Sequence, residues 1–134
     1  MQVVDTSIIV RAVITTDPRE RERLQDVIAE SPSPIAHVLA ESYASLTALP
    51  PPFRLSPAHC FTYLSSAFRT EALTLSSGGY LRVLQLLAEH GVASGAIYDC
   101  LIAETAHEHD ATLVSLDQRA VTRYSLVGAD YRLV

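Results

Sequence analysis

Two short apolar runs, Gln2–Val4 and Ala111–Ser115, restrict what this chain can become. Each is too brief for a helix and rich enough in Val and Leu to be a buried strand. The residues between them follow a helical rhythm. Ile8, Ile9, Ala12 and Val13 share a face within Ser7–Thr15, and Leu24, Val27 and Ile28 do so within Arg19–Glu30. Asp17-Pro18 starts that second helix with a cap and a proline in the first turn. Further helices are expected over His37–Leu49, from Ser56-Pro57 through Ala67, over Ser76–His90 up to Gly91, and over Ile97–His109. Ile35–Val38 and Glu71–Leu75 read as additional strands or strand edges, and Tyr131–Val134 as a last strand. Short buried strands alternating with helices make an α/β fold with a parallel sheet and helices on both faces. The proline-rich stretch Leu49–Pro57 is too short to separate two units, so residues 1–134 are expected to form one domain.

All ten basic residues are arginines, so chemistry that needs a P-loop or Schiff-base lysine is excluded. A net charge of −5 argues against a protein that coats nucleic acid, but not against a nuclease whose acidic pocket binds cations. No apolar run approaches the roughly 18–20 residues that span a bilayer. The N-terminus lacks the basic, apolar and small-residue regions of a signal peptide, so the chain is expected to be cytoplasmic. Cys60 and Cys100 have no companions at metal-ligand spacing and are expected to be small buried hydrophobes.

Most of the 15 acids fall in charge-alternating helices, where solvation explains them. Asp5, Glu41, Asp99 and Asp117 do not. Asp5 and Asp117 follow expected strands, while Glu41 and Asp99 lie near the starts of largely apolar helices. In a parallel sheet the carboxyl ends of the strands and the starts of the following helices share one edge, where ligands bind. The four acids are therefore expected to meet there. Crowded carboxylates require a counter-charge, and a hard divalent cation such as Mg²⁺ takes oxygen ligands. Without these four, the net charge of −5 falls to about −1, which concentrates the acidity in the expected pocket. Each residue also has a plainer reading: Asp5, Asp99 and Asp117 as helix or turn caps, Glu41 as a surface ion-pair partner.

The order "VVDTSII", "VLAESYASL", "IYDCLIAETAHEHDATLVSLDQRA" resembles the PIN-domain ribonucleases, specifically the VapC-type toxins of bacterial toxin–antitoxin pairs. The resemblance runs over essentially the whole chain. It implies a PIN-like three-layer α/β/α sandwich and Mg²⁺- or Mn²⁺-dependent endoribonuclease activity, with structured tRNA or rRNA as the expected substrate. It also implies inhibition by a cognate VapB-type antitoxin, and a homodimer. By position, Asp5, Glu41, Asp99 and Asp117 take the acidic metal-site roles. Thr6 and Ser115 match the small hydroxyl positions beside the first and last acids. The segment "DQRAV" departs from the family, which often has a second acid or an aromatic there. The expected chemistry is in-line hydrolysis of a phosphodiester, leaving 5′-phosphate and 3′-hydroxyl ends.

Arg11, Arg54, Arg82 and Arg119 are candidates for phosphate contact, and Tyr43 and Tyr98 for base stacking, against the plainer roles of surface charge and core packing. "HEHD" at His107–Asp110 resembles a metal motif, but residues two apart on a helix face away from each other. His90 reads as a helix end, and neither His37 nor His59 has a ligand pattern. The alternative to a nuclease is a non-catalytic binding module of the same fold. An aspartyl phosphatase is disfavoured because Ser7 stands where a second Asp would be needed, and because the chain has no lysine.

Overall fold

The structure, a computed structural model, describes all 134 residues. β1 (Gln2–Val4) is followed by α1 (Thr6–Ile14), α2 (Pro18–Ala29), α3 (Ala36–Thr47), α4 (Pro57–Ala67), α5 (Ser77–Glu89) and α6 (Ala96–Glu108). β2 (Thr112–Ser115), a 3₁₀ turn at Gln118–Ala120, α7 (Val121–Val127) and β3 (Tyr131–Leu133) complete the chain. The three strands are parallel in the order β1-β2-β3, with Val4 opposite Val114 and Ser115 opposite Leu133.

Successive strand residues point to opposite faces. Val3 and Val4, and Leu113 and Val114, are all almost completely buried, so β1 and β2 are covered on both sides. That is why these strands read as continuous apolar runs and not as alternating ones. β3 leaves Arg132 and Leu133 exposed, as an edge strand does. Cys60 and Cys100 are free thiols within one connected core, and burial pushes both thiol pKa values up. No helix is long and apolar enough to cross a membrane.

Two sequence expectations change. The strands expected at Ile35–Val38 and Glu71–Leu75 shrink to a single parallel bridge between Ile35 and Leu73. Its bonds run from Leu73 N to the Pro34 carbonyl and from Ala36 N to the Leu73 carbonyl. Pro34 has no amide hydrogen and α3 begins at Ala36, so pairing has nowhere to extend. The second change is α7, where the sequence had suggested no element. Gly128, at φ 83° in the left-handed region, ends it as a C-terminal cap.

"HEHD" proves structural. Glu108 accepts hydrogen bonds from Ser76 N and Oγ, and His109 Nε2 lies 2.9 Å from the Thr74 carbonyl. These bonds tie the end of α6 to the start of α5. His90 Nδ1, 2.9 Å from the Leu86 carbonyl, closes the end of α5.

Candidate metal centre

Asp5 leaves β1 and caps α1. Its Oδ1 accepts from Ser7 N at 3.0 Å, from Ile8 N at 3.4 Å and from Ser7 Oγ. Its Oδ2 accepts from Ser115 Oγ and, at 2.7 Å, from the hydroxyl of Tyr124. The residue is only 4% exposed. A buried carboxylate is tolerated only with such partners, and here they come from the start of α1, β2's end and α7. Capping and site-building are therefore not alternatives for Asp5, which does both.

Glu41 comes from the second turn of α3. Its Oε1 accepts from Thr6 Oγ1 at 3.3 Å and lies 3.8 Å from His37 Nε2. Asp99 sits in the first turn of α6, where the helix dipole favours a negative charge. Arg123 Nε approaches its Oδ2 at 3.5 Å. Burial pushes the Asp99 pKa up, Arg123 opposes this, and the charges of Asp117, Glu41 and Asp5 raise it further. Asp117 caps the 3₁₀ turn through Arg119 N at 2.9 Å, and its own amide donates to Ser115 Oγ at 2.9 Å.

All four acids line one pocket of about 250 Å³, together with Thr6, Ser7, Ile102 and Tyr124. The acids ring this space without three of them closing into a single tight ligand group. Their donor chemistry nonetheless suits a hard divalent cation: every acidic donor is an oxygen, and Asp99 is partly desolvated among three like charges. Asp99, Glu41 and Asp117 have lone pairs free of protein donors. Asp5 has five donors on two oxygens, more than the roughly four acceptor sites of a carboxylate.

Residues 3–125 match the family described as PIN domain. The chain belongs to the PIN-domain family. This PIN chain is 39% identical over 100 residues to ribonuclease VapC40 of Mycobacterium tuberculosis, covering 75% of each protein. It is 33% identical over 125 residues to ribonuclease VapC27 of the same organism, covering 93% of this chain and 90% of the relative. Among solved structures it resembles VapBC2 from Rickettsia felis bound to a promoter DNA fragment. There the TM-score is 0.70 at 18% identity, over 99% of this chain and 98% of the other. At that identity the likeness establishes the PIN fold.

Six positions proposed from the sequence meet at the pocket: the four acids, Thr6, and Ser115 through its bond to Asp5. The arginines divide. Arg11 and Arg119 line a neighbouring cleft that shares Ser7 and Asp117 with the acidic pocket, although Arg11 is also paired with Glu20 at 2.9 Å. Arg54 donates to the Leu49 carbonyl at 2.7 Å. Arg82 has a different task from the one expected. It holds the buried carboxylate of Glu104 and reaches the Val127 carbonyl at 3.3 Å. A carboxylate at 4% exposure needs a fixed counter-charge, and Arg82 supplies it.

Ser7, Arg123 and Tyr124 were not singled out from the sequence. Ser7 bridges the two strand ends, since its Oγ accepts from Leu116 N at 2.9 Å. Tyr124 is 1% exposed, and burial next to Asp5 pushes its hydroxyl pKa up, so it remains a donor. A Tyr just before a Gly-terminated helix end, after the last acid, was the available signal.

Proposed function

We propose that this PIN chain is a metal-dependent endoribonuclease of the VapC toxin type. The observation behind this reading is the gathering of Asp5, Glu41, Asp99 and Asp117, from four distant segments, around one pocket. Relatives named as VapC ribonucleases support the RNA-cleaving chemistry. Structural relatives solved as VapBC complexes support a VapB-type antitoxin as the inhibiting partner.

In this reading Asp99, Glu41 and Asp117 would hold Mg²⁺ or Mn²⁺, and Asp5, its carboxylate fixed by protein donors, would add its negative charge at the pocket wall. Bound there, the cation would supply a water of lowered pKa and a counter-charge for the phosphodiester oxygens. Thr6 fixes Glu41, and Ser115 fixes Asp5 and the Asp117 backbone. Arg11 and Arg119 sit in the adjoining cleft, where a phosphate chain leaving the acids would pass. Structured tRNA or rRNA is the proposed substrate. A homodimer is proposed as well, with Leu81 and Leu84, 68% and 49% exposed on α5, as an apolar patch available for it.

The test is cleavage of a mixed tRNA and rRNA substrate by the purified chain with MnCl₂, with and without excess EDTA. Cleavage that disappears with EDTA and leaves 5′-phosphate ends is expected. No cleavage of any RNA would favour a binding module instead, and cleavage that persists in EDTA would overturn the metal dependence.

Beside the pocket, Tyr98 stacks on His37 with ring centroids 5.4 Å apart and planes within 9°. These rings stand next to Asp99 and one helical turn from Glu41, and Tyr98 remains 50% exposed. An exposed aromatic beside a phosphodiester site is a stacking surface for a nucleobase. Tyr98→Ala is expected to weaken RNA binding about tenfold, consistent with roughly 1–3 kcal/mol per stacked base. Fluorescence anisotropy with a catalytically dead background would measure it, and unchanged affinity would remove Tyr98 from the substrate path.

A further inference from the structure

Two consecutive side chains of α7 reach two different acids of the pocket. Tyr124 donates to Asp5 Oδ2 at 2.7 Å, and Arg123 approaches Asp99 Oδ2 at 3.5 Å. Their settings contrast. Tyr124 is almost wholly buried, and its ring packs on Tyr131 of β3 at 6.1 Å and 55°. Arg123 is 36% exposed and is held at its far end only by the Arg119 carbonyl, at 2.8 Å from Nη1.

We propose that α7 sets the cation affinity of the acid pocket in opposite directions, with Tyr124 positioning Asp5 for the ion and Arg123 occupying Asp99 as a resident counter-cation. The inference rests on the reading of this pocket as a divalent-cation site.

The two oxygens of Asp5 are gripped from opposite sides. The start of α1 holds Oδ1, while Ser115 and Tyr124 hold Oδ2. This grip stops the carboxylate from turning where it lines the pocket. Partners that orient a ligating carboxylate are worth about 10- to 100-fold in metal affinity. Tyr124 is such a partner, and it is the only one of the Oδ2 donors that comes from α7.

Arg123 works the other way. Its guanidinium neutralises an acid that has three other acids around it, and an arriving dication meets a positive group already beside its ligand. The ion pair is partly solvated, so displacement is affordable but not free. Removing the guanidinium leaves Asp99 unopposed for the ion.

The experiment is Mn²⁺ titration of the metal-free full chain, read as free Mn²⁺ by electron paramagnetic resonance, for wild type, Tyr124→Phe, Arg123→Gln and Asp99→Asn. Tyr124→Phe is expected to weaken binding about tenfold, and Arg123→Gln to tighten it several-fold. Arg123→Lys, which retains the charge, should stay near wild type. A merely structural helix would move the two variants together or not at all. Unchanged or tighter binding in Tyr124→Phe, or weaker binding in Arg123→Gln, overturns the inference. If wild type binds and Asp99→Asn does not, while both α7 variants match wild type, only the α7 assignment falls. If wild type itself binds no Mn²⁺, the cation reading of the pocket falls, and the inference with it. Should Tyr124→Phe fail to fold, the surface variant Arg123→Gln still decides by the sign of its effect.

Discussion

Asp99→Asn is expected to reduce RNA cleavage by more than about 100-fold while making the metal-free protein more stable at neutral pH. Losing only an outer partner of a metal ligand costs about 10- to 100-fold in affinity or activity, so loss of the ligand's own charge should exceed that. The stability gain follows from the raised pKa of Asp99, caused first by burial and then, against Arg123, by the neighbouring acids. A carboxyl whose folded-state pKa is raised binds more protons folded than unfolded, so its contribution favours folding at low pH. That contribution is complete below the ordinary carboxylate pKa and disappears as pH rises through the raised value. In EDTA, the wild type should lose stability across that window, and Asp99→Asn should show a flatter profile. Thermal melts at several pH values check the slope, and a gel-based cleavage assay checks the activity. An active Asp99→Asn protein would take this residue out of the chemistry.

Arg82→Leu is expected to destabilise the fold by about 2–3 kcal/mol. Removing one partner of a buried pair costs about 3–5 kcal/mol, and Arg82 is half exposed, which lowers the figure. The damage comes from Glu104, left charged and almost fully buried between α5 and α7. In a chain of this size the melting temperature should fall by about 10 °C. The double variant Arg82→Leu/Glu104→Leu should recover most of that loss, because an apolar pair of similar volume is often as stable as a buried ion pair. Urea denaturation of the two proteins tests this. A double variant as weak as the single one would mean that Arg82 acts mainly through the Val127 carbonyl.

The sheet edge and its acids were readable because burial on both faces produces continuous apolar strands, and a charge just past such a strand stands out. Asp5 and Asp117 were found on that basis, and Glu41 and Asp99 by their place at helix starts in apolar surroundings. What sequence could not separate was capping from site-building, since a buried Asp at the end of β1 serves both from one position. α7 was missed for a different reason. "VTRYSLV" is short and mixes polar with apolar residues, so its periodicity is weak, and its value lies in two side chains that reach acids far away in sequence. Glu104 escaped notice in the same way: inside an apolar helix it looks like an irregularity until Arg82 of α5 is seen beside it. The short bridge at Ile35 and Leu73 shows the opposite error, in which strand-like composition was present but Pro34 and the start of α3 left no room for pairing.

β1 pairs with β2 across more than a hundred intervening residues, and the first acid is steadied by a tyrosine close to the other end of the fold. A polypeptide still emerging from the ribosome therefore has Asp5, Glu41 and Asp99 in hand well before Ser115, Asp117 and Tyr124 can join them. For a chain that would cut RNA, this order of synthesis means that the acid centre cannot close before α7 has been made.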